Sequence, residues 1–171
     1  FAQNNGDSNN SENGTVGISG AMLAIIKTRN SVLSTIGEAD LTLIMKLLHT
    51  AQMEEVRQNA STMLGVLCTQ PHSKEVNAMV CAALVRVLNN DESPLAVGEA
   101  LCALMDIYGG EDVHDDVFLA QGVLSEFQKT LPTFRRRMKE SGTKSLAEED
   151  LYQLRETALN ASRFIKYKQE Q

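Results

Sequence analysis

Apolar residues recur at helical spacing in two segments of this chain that lie about forty residues apart. In the first segment, positions 55–67, these residues are Val56, Ala60, Met63, Leu64 and Leu67. In the second, positions 96–108, the same places at a constant offset of 41 hold Val97, Leu101, Leu104, Met105 and Tyr108. Steps of four, three and four residues put such side chains on one side of an α-helix. Both segments are therefore predicted to be amphipathic helices and copies of one structural unit.

A helical unit with a period near forty residues is typical of HEAT and armadillo repeats. The second helix of a HEAT repeat typically begins Asp-x-x-x-x-Val-Arg-x-x-Ala, and Val56-Arg57 followed by Ala60 resembles that motif well. The later copy, which begins at Asp91, also resembles it, except that Gly98 stands where Arg is usual. The predicted fold class is all-α, an α-solenoid of HEAT/armadillo-like helix pairs, and such folds bind other macromolecules along an extended surface.

The remaining pattern predicts the other helices. A helical stretch from Ser19 ends at Gly37, and Asp40 is predicted to cap a short helix whose core side is Leu41, Ile44, Leu48 and Ala51. The repeated segment forms a helix over about 54–68. A third helix, capped by Ser73, covers 74–88 and is apolar on most sides, Met79 included. Ser93-Pro94 opens the next one, which ends at Gly109-Gly110.

The last predicted helix pair is longer. One helix runs over about 115–139 and contains Pro132. Ser145 and Glu148 form a predicted capping box for the final helix. Its apolar seam consists of Ala147, Leu151, Leu154, Ala158, Ala161 and Ile165.

Composition divides the chain into two regions. Residues 1–17 are rich in Asn, Ser, Gly and acidic residues, and we expect this stretch to be a disordered remnant of a long loop. Residues 18–171 are expected to form the C-terminal part of a HEAT-repeat solenoid. The chain begins with Phe1 rather than Met, so we expect a piece of a longer protein. We also expect it to be a monomer. No apolar run approaches the roughly 18 residues that a membrane span needs, and no membrane partner is expected.

Charge and residue types narrow the function further. The formal net charge is −6, which makes direct nucleic-acid binding unexpected and a basic protein a plausible partner. The cysteines Cys68, Cys81 and Cys102 have no metal-ligand spacing and are predicted to pack in helices. No convergent nucleophile and base, phosphate loop or metal motif is present, so we expect no enzyme, metal or cofactor. The acidic loop around His114 is interpreted as solvated rather than metal-binding.

Two groups of charged residues are candidates for binding. Glu99, Asp106 and Glu156 lie opposite the core side of their helices, and together they predict an acidic strip along an inner groove. In the preceding repeat, Gln58 and Gly65 hold the positions that correspond to Glu99 and Asp106. The second group is the basic run at 135–137, which could clamp a phosphate or an acidic segment, or could simply favour the end of its helix.

The C-terminal half of the chain resembles one family more closely. The string Asn160-x-x-Arg163-Phe164-Ile165-x-Tyr167, with the 93–108 segment and the 127–137 segment, is similar to the C-terminal end of the symportin family. That resemblance implies an armadillo/HEAT adaptor that carries the ribosomal proteins that bind 5S rRNA into the nucleus. It would act as a chaperone in ribosome assembly, shuttle between cytoplasm and nucleus, and engage an importin of the transportin type through parts absent here. The alternative is a HEAT scaffold that regulates an enzyme or a chromosome-organising complex.

Overall fold

The computed structural model describes residues 20–21, 36–68, 73–109, 122–142 and 146–170 of the 171-residue chain. Apart from the helical residues Gly20 and Ala21, these ranges contain six α-helices and no strand. The helices are α1 Glu38–Thr50, α2 Glu54–Cys68, α3 Lys74–Asn90, α4 Pro94–Tyr108, α5 Val123–Gly142 and α6 Glu148–Glu170. The segments predicted at 1–17 and over most of 19–35 lie outside the described residues.

The helices form three pairs stacked in two layers. Within the pairs, α1 packs on α2, α3 on α4, and α5 on α6. Between pairs, α4 contacts both α2 and α6 in one layer, and α3 contacts both α1 and α5 in the other. The second helices approach one another more extensively than the first helices do. The prediction of an all-α solenoid of helix pairs is confirmed.

Serine caps begin two of these helices as predicted. The Ser73 hydroxyl accepts a hydrogen bond of 3.3 Å from the backbone N–H of Val76 in α3. The Ser93 hydroxyl accepts one of 3.2 Å from the N–H of Ala96, and Pro94 occupies the first turn of α4. These bonds satisfy N–H groups that have no partner within a helix.

Other predicted helix ends are wrong. Helix α1 begins after Gly37, whose extended backbone makes it the N-cap, and Asp40 accepts a 2.9 Å hydrogen bond from the Gly37 N–H. Asp40 therefore caps from inside the first turn rather than from the cap position. Gly122 has a φ of 62°, which an α-helix cannot contain, so α5 starts at Val123 and one continuous helix from 115 is excluded. Pro132 lies inside α5 as predicted.

The start of α6 differs as well. The helix begins at Glu148, and the Leu151 N–H donates to the Ala147 carbonyl at 3.1 Å. Ala147 directly precedes the helix, so the predicted cap residue Ser145 is two positions too early. Ser145 itself lies outside the described residues. Acidic side chains fill the first turn instead, where they favour the positive end of the helix dipole.

The predicted apolar stripes form one core. All five residues of the α2 stripe are at most 2% exposed, and Val97, Leu101, Leu104 and Tyr108 of α4 are at most 3% exposed. In α6, Leu154, Ala158 and Ala161 are buried. Four predicted core positions are only partly buried, namely Ala51, Met105, Leu151 and Ile165. Two more are exposed: Met79, which is 52% exposed on α3, and Ala147, which precedes α6.

Two glycines allow neighbouring second helices to approach closely. A Cβ at Gly65 of α2 would lie 2.9 Å from the Ala103 Cα of α4, which is backbone. A Cβ at Gly98 of α4 would lie 2.9 Å from the Leu154 Cδ2 of α6. Gly98 therefore replaces the usual Arg of the repeat motif because Leu154 occupies the space beside it.

One arginine ties consecutive repeats together at their turns. Arg57 Nε donates to Asp91 Oδ2 at 2.6 Å and Nη2 donates to Oδ1 at 3.3 Å. Arg57 Nη1 also donates to the carbonyls of Ala51 and Gln52, at 3.0 and 2.8 Å. From the third pair, Arg137 Nη1 donates to the Asp91 carbonyl at 2.6 Å. Asp91 thus connects the turn of the first pair, the turn of the second and helix α5.

Candidate protein-binding site

A cleft of about 310 Å³ lies between α4 and α6. It contains two of the three acids that the sequence predicted for an acidic strip, Glu99 on α4 and Glu156 on α6. Its lining residues are Gln58, Leu95, Gly98, Glu99, Cys102, Asp150, Tyr152, Gln153, Leu154, Glu156, Thr157 and Asn160. None of them carries a positive charge.

Glu99 is fixed at the side of the cleft that α2 supports. The residue is half-buried, and its Oε2 accepts a 2.7 Å hydrogen bond from the Thr62 hydroxyl of α2. A carboxylate held by a neighbouring helix needs little reorganisation before it binds a cation. Glu156 is exposed on the opposite wall.

Asp106 lies two turns beyond Glu99 on α4, is exposed, and does not line the cleft. Burial raises the pKa of the Cys102 thiol between these two acids, and the negative charges of Glu99 and Asp106 raise it further. Because Glu99 and Asp106 are seven residues apart, they lie on one side of α4. The structure therefore brings Glu99 and Glu156 together in one cleft and puts Asp106 farther along the same surface.

The two positions predicted in the preceding repeat behave differently from each other. Gln58 lines the cleft, as its correspondence to Glu99 predicts. Gly65 was expected on the groove side, like Asp106, but it is buried against Ala103. The reason is that α4 packs directly over that side of α2.

The sequence analysis missed most of the α6 wall. Asp150, Gln153, Thr157 and Asn160 succeed one another at steps of three, four and three residues, so they share one side of the helix. Tyr152, which is 64% exposed, stands beside them. The polar spacing was visible in the sequence, whereas the packing that turns this side toward α4 was not.

Each arginine of the basic run at 135–137 has a partner within the chain. Arg135 Nη2 donates to the Ser162 hydroxyl at 2.6 Å, and Arg136 lies 3.9 Å from Glu140. Arg137 is partly buried and binds the Asp91 carbonyl. The three side chains therefore have three different partners. Arg135 connects α5 to α6, and Arg137 connects α5 to the turn between α3 and α4.

A larger cleft of about 550 Å³ lies near the repeat turns, and it contains none of the predicted acids. Residues of both charge signs line it, among them Arg57, Arg86, Asp91 and Glu92. His49 is also there, and burial together with the Arg86 charge lowers its pKa. Since Arg57 and Asp91 already bind each other, this cleft offers no comparable preference for a charged partner.

Other chemistry has little support among the described residues. In that part of the chain no three His, Cys, Asp or Glu residues come together as metal ligands. His114 lies outside it. Burial raises the pKa of Cys68 to about 12 and that of Cys81 to about 11, which keeps both thiols protonated and unreactive near neutral pH. None of the described helices combines the length and the apolar character that crossing a bilayer requires.

Comparison with known proteins points to one family. The family model described as "SYO1-like, TPR repeats" matches residues 3–171. Symportin 1 of Chaetomium thermophilum is 35% identical over 113 residues, which cover 61% of this chain and 16% of that protein. HEAT repeat-containing protein 3 of Mus musculus is 24% identical over 159 residues, which cover 89% of this chain and 23% of that protein. The Homo sapiens protein of the same name is 25% identical over 159 residues, which again cover 89% of this chain and 23% of that protein.

The chain thus spans less than a quarter of the length of these curated relatives. No solved structure matches it. The helix-pair architecture agrees with both repeat descriptions, since TPR and HEAT units are each a pair of antiparallel helices.

Proposed function

Because this chain belongs to the SYO1-like family of TPR-repeat proteins, we propose that it is a non-enzymatic scaffold whose acidic surface holds a basic protein. The cargo we propose is a ribosomal protein that binds 5S rRNA. The scaffold keeps this cargo soluble during nuclear import and ribosome assembly, and shuttles with it between cytoplasm and nucleus. An importin of the transportin type engages other parts of the longer protein.

The observation that carries this proposal is the α4–α6 cleft. Glu99, Asp150 and Glu156 contribute carboxylates to it, and no lysine, arginine or histidine lines it. Asp106 extends the negative surface along α4. Ribosomal proteins are strongly basic, so their field and that of this surface are complementary.

Electrostatic attraction of this kind acts mainly on the rate of association. Exposed carboxylates such as Glu156 attract a basic partner over a Debye length of about 10 Å at 0.1 M salt. Raising the salt concentration shortens that distance and slows association. Contacts made after docking, by the amide and apolar residues of the cleft, then determine how long the complex lasts.

The test is charge reversal of the three predicted acids in the full-length protein. The triple variant Glu99→Lys, Asp106→Lys and Glu156→Lys is expected to bind a 5S-rRNA-binding ribosomal protein at least about tenfold more weakly at low salt. The difference should shrink as the salt concentration rises. Because Glu99 accepts a bond from Thr62, circular dichroism and the denaturation midpoint should first show that the variant is folded.

A matched control reverses Glu92, Glu140 and Glu170, which are exposed and lie outside the cleft. This control changes the net charge by the same amount and should retain nearly all affinity. Equal weakening of both variants would mean that net charge, not the cleft, attracts the cargo. Wild-type affinity of the cleft variant, or co-purification with enzyme subunits instead of ribosomal proteins, would reject the proposal in favour of a regulatory scaffold.

A further inference from the structure

The α4–α6 cleft has more chemistry than negative charge alone. Its walls carry an exposed aromatic ring, Tyr152, and two leucines, Leu95 and Leu154. They also carry three amide side chains, those of Gln58, Gln153 and Asn160. A volume of about 310 Å³ is at the lower end of the range of ligand pockets, roughly 300–1,000 Å³. The cleft is therefore large enough for one long side chain but is not built as a flat protein interface.

The carboxylates of the cleft stand apart from one another on two walls. Among the described residues no three potential metal ligands lie close enough to hold a single ion. Glu99 is on α4, and Asp150 and Glu156 are on α6, so the acids stand on opposite walls. An extended organic cation can interact with both walls at once.

We propose that the cleft binds the side chain of an arginine on the protein that the scaffold holds, an inference that rests on the proposed function. The planar guanidinium has five N–H donors, so it can bridge carboxylates on the two walls. The exposed ring of Tyr152 provides a face for it. The aliphatic part of the arginine packs against Leu95 and Leu154.

The same features favour arginine over lysine. A lysine ammonium is a compact, strongly hydrated charge that pairs with one carboxylate at a time. Glu99, which Thr62 holds in place, is a preformed acceptor on one wall. The amide oxygens of Gln153 and Asn160 can accept the N–H groups that the carboxylates leave over. A flat donor with several N–H groups uses all of these partners, and an ammonium does not.

The proposal can be tested with small probes and the whole chain. N-acetyl-arginine amide and N-acetyl-lysine amide are titrated separately into the ¹⁵N-labelled protein while the backbone amides of Glu99, Gln153 and Thr157 are followed. The arginine probe should cause saturable shifts at these residues with a Kd about fivefold or more below that of the lysine probe. Equal Kd values for the two probes, or shifts spread over the whole acidic surface, would overturn the proposal.

Surface variants separate the pocket from general attraction. Tyr152→Ala should raise the Kd of the arginine probe about threefold or more, with less effect on the lysine probe. Tyr167→Ala is the matched control, because Tyr167 is a 43% exposed tyrosine of the same helix that does not line the cleft. Asp150→Asn should weaken the arginine probe, whereas Glu170→Asn should not. If both members of each pair behave alike, the cleft has no specific site.

The cargo experiment and the probe experiment can fail independently. If charge reversal weakens cargo binding but arginine and lysine probes bind equally, the acidic scaffold stands and the arginine pocket is wrong. If the arginine probe binds selectively but charge reversal leaves cargo affinity unchanged, the cleft recognises arginine and the cargo proposal is wrong.

Discussion

Two glycines determine how closely the second helices of this solenoid pack. Gly65 lies against the backbone of Ala103, whereas Gly98 lies against the end of the Leu154 side chain. Both glycines are inside helices, where glycine costs about 1 kcal/mol relative to alanine. The two positions therefore differ only in what an added methyl group would meet, which is rigid at one site and movable at the other.

Gly65→Ala is expected to destabilise the protein by about 1–3 kcal/mol, because the Ala103 backbone cannot move without shifting α4. Gly98→Ala is expected to be within about 1 kcal/mol of wild type, because Leu154 can rotate and helix propensity improves. Urea denaturation of both variants measures the difference. A Gly65 variant as stable as wild type would show that the two helices can separate freely.

The buried thiols predict a stability that falls at high pH. Burial raises the pKa of Cys68 from its ordinary value of 9.0 to about 12 and that of Cys81 to about 11. Because the pKa values of the two thiols are higher in the folded state than in the unfolded state, their contribution to the free energy of unfolding is complete below pH 9. It is lost as the pH rises toward 11 and 12. The unfolded chain releases the protons first and is thereby favoured.

We expect each thiol to account for about 2 kcal/mol of the stability lost between pH 9 and pH 11. Lysine and tyrosine also titrate in this window, so the comparison is with the Cys68→Ala, Cys81→Ala variant. Its baseline stability is lower because of the cavities, but its slope with pH should be flatter. Equal slopes from denaturation at pH 8, 9, 10 and 11 would contradict the expected pKa values.

At the scale of elements, a partly buried ion pair and its neighbours hold the turns between helices. The side chains of Arg57 and Asp91 are only 17% and 10% exposed. The Asp91 carboxylate also accepts the Ser93 N–H at 2.9 Å, and its backbone carbonyl accepts Arg137. Removing one member leaves a largely buried charge without its partner, which is more costly than losing a surface pair.

Asp91→Ala is expected to destabilise the protein by about 2–4 kcal/mol. Arg57 would lose both of its carboxylate bonds and keep only those to Ala51 and Gln52. Chemical denaturation gives the value, and Glu92→Ala, an exposed neighbour, should change it by less than about 0.5 kcal/mol. Similar small effects for both substitutions would mean that the turn network does not contribute to stability.

The sequence predicted the helices better than their ends. The stripes in α2 and α4 were readable because a buried helix face needs apolar residues at fixed spacing. The cap at Asp40 was misplaced because the same carboxylate can cap from the first turn. The start of α5 at Val123 was missed because the sequence from 115 to 121 is compatible with a helix, and only the backbone conformation of Gly122 excludes one that continues through it.

The site was predicted less completely than the fold. Glu99 and Glu156 were chosen as candidates by their position opposite a core stripe, which depends on one helix alone. Asp150 and Tyr152 were missed because their role depends on the rotation of α6 against α4. That rotation follows from Leu154 sitting on Gly98, a contact between residues 56 positions apart that no local pattern reveals.

For the whole molecule, the middle pair is the centre of stability. Helix α4 packs against α2, α3, α5 and α6, whereas α1 packs mainly on α2 and α3. In a solenoid each repeat is stabilised by its neighbours, so a repeat with two neighbours opens less readily than one at the edge of the described stack.

Amide hydrogen exchange of the folded chain is therefore expected to be slowest in α4, around Leu101 and Leu104, and about tenfold or more faster in α1. The measurement is exchange followed by mass spectrometry or NMR at neutral pH. Uniform protection across the three pairs would instead indicate that the chain opens as one unit. Slowest exchange in α1 would contradict the packing order.

Position 98 holds glycine where the preceding repeat has Arg57, and this difference determines whether the repeats are interchangeable. The first joint is an ion pair between turns, from Arg57 to Asp91, and the second is a leucine seated on bare backbone, from Leu154 to Gly98. If the first pair replaced the second in a redesigned solenoid, an arginine would stand at position 98, where the Leu154 side chain of α6 needs the space beside glycine. The three pairs are therefore not interchangeable. A design that transfers one pair would also have to transfer the residues on the neighbouring helix that contact it.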